Sequence, residues 1–338
     1  MKRLLFLGLS IIFILGLTAC GSNSTKTGGD KDSSGGSKTM TLKLSDDQPE
    51  DYPTVIGDKA FAKEVEEKTN GRIKIKVYAS GQLGAENDVA QQVQLGAVDL
   101  IRINGAPLAE FDPDMGVLSM PYLFKSDDQK WDVLNGQVGQ DLLDTLKSAK
   151  MVGLTYYDSG DRSFYNSKHP VKKPEDLKGL KIRVQQSKLF IDLVNSLGAS
   201  ATPIDYSEVY SSLESGVIDG AENNLPSYFT TNHYKVAKYI TMDKHSGVPE
   251  VLIASQKLWD KLSDEDKKIF KEAAKNSQKI EKEAWRKLEE KSKEEVEKGG
   301  AQFTEVKDIT PWREAVQPLY DKYGKQYQEW IDKIQAVK

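Results

Sequence analysis

The chain has 338 residues, of which 38% are hydrophobic, so it is long enough to bury the core of one large or two medium domains. Its 47 basic and 51 acidic residues give a net charge of −4, which argues against nucleic acid or an anionic membrane surface as the main partner. A single cysteine excludes an intramolecular disulfide framework, a thiolate zinc cluster and an intramolecular redox pair.

The N-terminus has the pattern of a targeting segment. Two basic residues at positions 2–3 precede an apolar stretch over residues 4–17, which is short for a membrane span. The sequence LTAC that ends at Cys20 resembles the lipobox of bacterial lipoproteins, in which the cysteine is acylated and becomes the mature N-terminus. We therefore predict a lipoprotein signal peptide over residues 1–20, with an incidental thiol as the alternative for Cys20.

The segment after Cys20 is dominated by Gly, Ser, Lys and Asp. Residues 21–38 contain no apolar side chain that would stabilise an ordered structure, so we predict a flexible tether over residues 21–40. Nothing later in the sequence is long and apolar enough to span a membrane. The prediction is a protein anchored by lipid to the extracellular face of the cell membrane, or a periplasmic lipoprotein in a Gram-negative cell.

From residue 41 the apolar pattern alternates between strand and helix. Strands are predicted over residues 41–44, 72–78 and 97–103, where apolar residues recur with a period of two or form a short run. One intervening helix ends at Asn70-Gly71 and the next near Gly96. This β-α-β succession predicts the α/β class.

The second half repeats that alternation and then changes to a long helix. Strands are predicted over residues 152–157, 181–184 and 217–219, and a helix over residues 207–213. Ser263 opens a charge-rich helix that runs to Gly299, roughly 35 residues or about 50 Å. Its apolar residues do not keep a strict heptad, so a helix that lies across two domains is favoured over a coiled coil.

Four segments together indicate a family. They are GRIKIKVYASGQLG (71–84), GAVD (96–99), DLKGLKIRV (176–184) and EVYSSLESGVIDGAEN (208–223). In this order and spacing they resemble the solute-binding proteins of TRAP transporters, the DctP family, over nearly the whole chain from about residue 41 to residue 334. The local sequences 158–165 and 219–224 are more similar to the uronate-binding subgroup than to the dicarboxylate-binding one.

The resemblance implies a two-domain, periplasmic-binding-protein-like (Venus flytrap) α/β fold with a long domain-spanning helix. Within the body, residues 41–338, domain I is expected over about 41–160 and 250–285. Domain II is expected over about 161–249 together with the C-terminal helices. The implied partners are a small organic acid and the membrane permease of a TRAP transporter, usually driven by a sodium gradient. No cofactor is expected.

Arg183 is the central candidate for the binding site. The strand pattern turns Arg183 away from the apolar face, and its planar guanidinium is suited to grip a carboxylate through two parallel hydrogen bonds. The pattern alone favours an ordinary solvent-facing arginine over a ligand contact. The resemblance implies the ligand role, because the arginine of the KIRV segment binds the carboxylate in that family.

The resemblance also implies six further ligand contacts. Arg162 matches a second arginine that reaches the ligand, although an ion pair with neighbouring Asp161 would also explain it. Asn223 matches the asparagine that fixes the acid group, with turn chemistry at Asn223-Asn224 as its alternative. The remaining positions match an aromatic contact at Tyr206 and polar contacts at Glu86, Asn104 and Gln48.

The number of polar candidates favours a hexuronate such as D-glucuronate or D-galacturonate over a C4-dicarboxylate. Two arginines can bind one acid group, and the other polar groups supply more hydrogen-bonding capacity than a four-carbon diacid requires. Glu86 accepts from sugar hydroxyls but repels a second carboxylate. Asp161 departs from the small residue that is usual in the subgroup, so the exact sugar stays open.

Two other classes of protein compete with a binding protein. A secreted glycosidase-type enzyme needs only two carboxylates, which are abundant here. The chain has no nucleophile elbow, phosphate-binding glycine loop or clustered metal-ligand spacing, and His169, His233 and His245 are far apart. A surface adhesin would need no enclosed site. We therefore predict a binding protein without catalytic activity.

Overall fold

The computed structural model describes residues 39–338, which contain eleven strands and thirteen α-helices. Cys20 and the predicted leader, together with most of the predicted tether, lie outside these residues. In chain order the strands are β1 (Met40–Ser45), β2 (Ile73–Tyr78), β3 (Leu100–Asn104), β4 (Met151–Tyr157), β5 (Arg162–Asn166), β6 (Lys181–Val184), β7 (Ser200–Pro203), β8 (Gly220–Asn223), β9 (Tyr239–Ser246), β10 (Glu250–Ser255) and β11 (Gln302–Glu305).

The helices fill the connections between these strands. In chain order they are α1 (Pro53–Lys68), α2 (Glu86–Gln94), α3 (Gly105–Leu108), α4 (Asp127–Asn135), α5 (Gln137–Thr145), α6 (Lys188–Ser196), α7 (Val209–Glu214), α8 (Leu225–Thr230), α9 (His233–Val236), α10 (Gln256–Trp259), α11 (Asp264–Lys298), α12 (Thr310–Ala315) and α13 (Gln317–Ala336). Short 3-10 turns occur at Pro113–Ser119, Leu146–Ala149, Pro174–Leu177 and Tyr206–Glu208. Among the described residues, no helix is long and apolar enough to cross a membrane.

Two sheets organise the molecule. The first has the order β2-β1-β3-β10-β4, and the second has the order β11-β9-β5-β8-β6-β7. Strands β1, β2 and β3 run parallel, as do β6, β7 and β8, whereas the strands that enter from the other sheet pair antiparallel to them. We call the first sheet with its flanking helices the first lobe, and the second sheet with its flanking helices the second lobe. The α/β class is confirmed.

Two short connections between the sheets lie next to each other, whereas α11 makes a third crossing, from β10 to β11. Residues 158–161 connect β4 to β5, and residues 247–249 connect β9 to β10. Two short crossovers of this kind permit one lobe to rotate against the other about a hinge. The crossovers lie near residues 160 and 250, where the domain boundaries are predicted. The division into two domains stays a prediction.

Helix α11 packs along both lobes. Its 35 residues begin after Ser263, whose side chain accepts a hydrogen bond from the Asp266 amide, and end before Gly299. The helix lies against α1 of the first lobe and α8 of the second. Its buried residues include Phe270 and Ala273 near one end and Val296 near the other, and these belong to two separate apolar clusters. The predicted domain-spanning helix is confirmed.

Most of the predicted elements are confirmed, but the strand over residues 217–219 is wrong. The strand there is β8, which begins at Gly220, while Val217 is 57% exposed. The Asp219 carboxylate instead accepts a hydrogen bond from the Lys181 amide at 2.9 Å and pairs with Lys168. The strand thus begins three residues later than predicted, and Asn223 is its last residue rather than a residue that follows it.

Candidate ligand-binding site

A cavity of about 240 Å³ lies between the two lobes. It is lined by the ends of β1, β3 and β10 from the first sheet and by the ends of β5, β6 and β8 from the second. Polar side chains at strand ends are where open α/β sheets place their ligand contacts. The structure brings all seven predicted contacts to this cavity, namely Gln48, Glu86, Asn104, Arg162, Arg183, Tyr206 and Asn223.

Arg183 lies on β6, paired with Ala221 of β8 and Thr202 of β7. Its side chain is only 4% exposed, which excludes the solvent-facing alternative. Nε donates to the Ile204 carbonyl oxygen at 2.8 Å, and within residues 39–338 no hydrogen bond engages the two terminal nitrogens. Burial lowers the pKa of Arg183, yet a guanidinium stays charged in proteins. The cavity therefore contains a fixed positive charge with donors left for a carboxylate.

Arg162 is the first residue of β5 and is more fully engaged. Nε donates to Glu222 Oε2 at 2.5 Å, and Nη2 donates to Glu222 Oε1 at 2.9 Å. Nη1 donates to Asn223 Oδ1 at 3.0 Å. The alternative ion pair with Asp161 is not formed, because Asp161 pairs with Lys244 at 3.4 Å. The Glu222 carboxylate thus fixes the orientation of Arg162 beside the cavity.

A buried histidine completes this arrangement behind Arg162. His245 Nδ1 lies 2.8 Å from Asp243 Oδ2, and Nε2 lies 3.3 Å from Glu222 Oε2. Burial disfavours the charged imidazole, but the two carboxylates outweigh it and raise the pKa of His245 to about 9. Burial also opposes ionisation of Glu222, and the charge of Arg162 still holds the pKa of that carboxyl below its ordinary value.

Asn223 ends β8 with its amide at the cavity. Its Oδ1 accepts from Arg162 and from the Asn224 amide, the latter at 2.8 Å. The turn role considered as the alternative is therefore present, but it uses only the carbonyl oxygen. The Nδ2 donor has no partner among the described residues, so an acceptor of a ligand in the cavity would satisfy it.

Tyr206 lies in a 3-10 turn at the edge of the cavity. Its hydroxyl has no hydrogen-bond partner within the described part of the chain, and burial raises the pKa of this phenol to about 12. Tyr52 of the first lobe approaches from across the cleft, with its hydroxyl 2.9 Å from Ser227 Oγ of the second lobe. Both tyrosines line the cavity, together with the apolar residues Pro107 and Ile204.

The first-lobe side of the cavity is strongly acidic. Arg102, in the middle of β3, donates to Asp46 and Asp47, to Glu86 Oε1 at 3.0 Å and to Glu250 Oε2 at 2.8 Å. Four carboxylates thus surround one guanidinium that is 2% exposed. Burial and the Asp47 charge raise the pKa of Glu86 well above its ordinary value.

The remaining two predicted contacts, Asn104 and Gln48, donate to carboxylates on this acidic side of the cavity. Asn104 donates from Nδ2 to Glu250 Oε1 at 2.8 Å, and its Oδ1 accepts from the Ala106 amide at the start of α3. Gln48 donates from Nε2 to Asp47 Oδ1 at 3.1 Å, whereas its buried Oε1 has no partner among residues 39–338. Asn104 is thus tied to the protein, while Gln48 keeps an acceptor for a ligand.

Arg102 and three of its carboxylates, Asp46, Asp47 and Glu250, were not among the residues predicted from the sequence. A signal was present, because Arg102 interrupts the apolar run of a short strand, LIRIN, that is buried throughout. A charge inside such a strand requires buried partners. In the described part of the chain, no cluster of three or more His, Cys, Asp or Glu side chains has the arrangement of a metal site.

Comparison with known proteins identifies the family. The model of bacterial extracellular solute-binding protein, family 7 (DctP), matches residues 44–326. A solute-binding protein of Chromohalobacter salexigens is 38% identical over 281 residues, which cover 83% of this chain and 84% of that protein. The chain belongs to the family 7 (DctP) solute-binding proteins.

Solved structures of this family share the fold and carry ligands. A TRAP periplasmic solute-binding protein of Xanthobacter autotrophicus Py2, with bound β-D-galacturonate, is 43% identical with a TM-score of 0.85, over 88% of this chain and 100% of that one. The corresponding protein of Pseudomonas putida F1, with bound D-glucuronate, is 37% identical with a TM-score of 0.86, over 88% and 98%. The DctP chain described here therefore has the fold of an extracytoplasmic TRAP receptor.

Proposed function

We propose that this DctP protein is the receptor of a TRAP transporter that captures a hexuronate, D-glucuronate or D-galacturonate, and delivers it to a membrane permease. The observation that carries the proposal is the charge asymmetry of the cavity. Arg183 offers unpaired guanidinium donors on one side, and carboxylates surround Arg102 on the other. Family neighbours that hold hexuronates support it.

The two sides of the cavity suit the two halves of a hexuronate. The carboxylate would accept two parallel bonds from Arg183 and one from the Asn223 amide, with Arg162 adding charge beside it. Sugar hydroxyls would donate to Glu86 and accept from or donate to their neighbours on the first lobe. Tyr206 would pack against the apolar face of the pyranose ring.

A C4-dicarboxylate fits this cavity less well. Its second acid would face Glu86 and Asp47 rather than a cation, and like charges in a desolvated site disfavour binding. The glycosidase alternative has no support from the family, whose members are binding receptors. We propose on these grounds that the protein binds its ligand without transforming it.

We further propose that the protein is a lipoprotein anchored through Cys20. The leader and the sequence LTAC support the proposal, and the tether would leave the lobes free to meet the permease. A Cys20→Ser variant should be released into the medium or remain unprocessed. Mass spectrometry of the membrane-associated protein that finds an unmodified Cys20 would disprove the anchor.

A thermal-shift screen tests the ligand class. A ligand that binds only the folded protein raises the melting temperature in proportion to ln(1 + [L]/Kd). At millimolar concentration, glucuronate or galacturonate should raise it by several degrees, whereas glucose and galactose, which lack the acid, should not. A clear shift with succinate or malate and none with either hexuronate would replace the hexuronate by a dicarboxylate.

A further inference from the structure

The carboxylates around Arg102 form one acidic pole of the ligand cavity. We define this acidic pole as Asp46, Asp47, Glu86 and Glu250. Asp46 is fully buried, and the side chains of the other three are 11–17% exposed and line the cavity. Even a protonated Glu86 leaves three carboxylates around one guanidinium, so the pole is electronegative.

Arg102 has no donor left for a ligand. Its Nε donates to Asp46, its Nη1 to Glu86 and Glu250, and its Nη2 to Asp46 and Asp47. A guanidinium has five N–H groups, and these five bonds use all of them. An anionic group of a ligand at this pole would therefore meet carboxylate oxygens and no unused cation.

The same pole offers acceptors to neutral hydroxyl groups. Glu86 Oε1 is occupied by Arg102 and by the Asn104 amide at 2.9 Å, while Oε2 has no protein partner within residues 39–338. Gln48 Oε1, on a side chain only 8% exposed, also lines the cavity without a partner. Unpartnered buried acceptors call for a donor, which a sugar hydroxyl supplies and a carboxylate does not.

We propose that the acidic pole is a charge filter that restricts this receptor to sugar acids with one carboxylate. It would reject hexaric acids, which carry an acid at both ends of the same hydroxylated chain. The inference rests on the proposed hexuronate function, and it adds that sugar acids with a second carboxylate are excluded from the cavity. Asp47 and Glu86 are the specificity-determining residues, because their side chains are the most exposed of the four, at 15% and 17%. Glu250 also accepts hydrogen bonds from Asn104 and Ser159, and Asp46 is fully buried.

The test compares two open-chain ligands, because hexarates cannot form the pyranose ring of a hexuronate. Galactonate and galactarate have the same carbon chain, and they differ in that only galactarate has a second carboxylate. Calorimetry on the purified full protein should find galactonate bound at least about tenfold more tightly than galactarate. In the Asp47→Asn/Glu86→Gln variant, the ratio of the galactonate affinity to the galactarate affinity should fall by about tenfold, since the amides keep the shape of the side chains and remove negative charge.

A matched control removes two exposed carboxylates of the same types. Glu290 on α11 and Asp332 on α13 are both exposed and lie outside the cavity lining. The Glu290→Gln/Asp332→Asn variant should leave the ratio of the galactonate affinity to the galactarate affinity at the wild-type value. Melting curves establish that each variant is folded, and the single variant Asp47→Asn should give the larger part of the change, because burial raises the pKa of Glu86 and so reduces its charged fraction.

Several outcomes overturn the inference. Equal affinity of the wild-type protein for the two ligands contradicts a charge filter, and so does a double variant that gains no affinity for galactarate. A control variant that changes the ratio as much as the double variant would assign the effect to net charge. If galacturonate itself binds while any of these results is obtained, only the filter fails. If neither hexuronate binds, the proposed function fails and the filter with it.

Discussion

Arg183 and Arg162 face the same cavity but leave different donors for a ligand. Arg162 is held by Glu222 and Asn223, whereas Arg183 uses only Nε, toward the Ile204 carbonyl. The terminal nitrogens of Arg183 form the pair that suits a carboxylate. Arg183 is therefore the residue whose geometry, rather than charge alone, should determine affinity.

Replacement of Arg183 by Lys keeps the charge and removes the planar fork. If two parallel bonds hold the acid, Arg183→Lys should lose roughly 1.5 to 3 kcal/mol, about ten- to a hundredfold in affinity for the hexuronate. Arg286→Lys, at an exposed position paired with Glu290, is the matched control and should bind as the wild type does. Isothermal titration calorimetry measures both, and a lysine that binds as tightly as arginine contradicts the bidentate role.

His245 should make the stability of the fold depend on pH. Its folded pKa of about 9 lies above the ordinary 6.5, so its contribution is fully present below about pH 6.5 and is lost as the pH rises toward 9. The contribution is about 3 kcal/mol at most for a shift of this size.

Urea denaturation of the wild type and of His245→Gln at a series of pH values tests this. The free energy of unfolding of the wild type should exceed that of the variant most near pH 6, and this difference should shrink toward pH 9.5. His233 is buried beside Tyr165, and burial lowers its pKa to about 3, so it does not produce this loss on the alkaline side. A difference that stays constant with pH would show that His245 is not the charged group proposed.

At the scale of elements, helices α1 and α11 pack closely at Gly57. A Cβ at this position would lie 2.9 Å from Glu281 Cβ and 3.0 Å from Tyr157 Cζ. Gly57→Ala should therefore lower the free energy of unfolding by about 1 to 3 kcal/mol, as overpacking of a core does.

Gly324 is the matched control in a helix interior. No atom lies within 4 Å of a Cβ built there, so Gly324→Ala should stabilise α13 by up to about 1 kcal/mol. Chemical denaturation gives both values. Equal effects of the two substitutions would contradict the close approach of α1 and α11.

Local signals predicted most elements, because strand alternation and helix caps depend on near neighbours. Asn70 and Gly71 both have positive φ, at 52° and 76°, as a helix end before a strand requires. The failure at residues 217–219 has the opposite cause. Those residues are placed by the distant Asp219 to Lys181 contact, which no local pattern contains.

The binding site could be predicted only in part for a similar reason. Family resemblance led to seven residues, and all seven lie at the cavity. Arg102 and Glu250 were missed because their partners are far apart in sequence. Glu250 reaches Arg102 and Asn104 only after β10 has crossed from the second lobe into the first sheet.

For the whole molecule, hydrogen bonds join the two lobes beside the cavity, and two of the residues that form them, Asn87 and Gln186, line it. Asn87 Nδ2 donates to Gln186 Oε1 at 2.8 Å, and the Lys188 amide donates to Glu110 Oε1 at 2.9 Å. These contacts join α2 and the end of α3 to the start of α6. A cavity lined by both lobes gains ligand contacts only when the lobes meet, so binding and closure are linked.

We propose that the cavity recognises the acid group of a hexuronate through Arg183 and Asn223. Calorimetric titration of D-galacturonate and D-galactose tests it most directly, because the two sugars differ only in the acid at C6. We predict saturable binding of galacturonate at a single site per chain, with no measurable binding of galactose at the same concentrations. Equal binding of the two sugars would contradict recognition of the acid group, as would the absence of binding for both galacturonate and glucuronate.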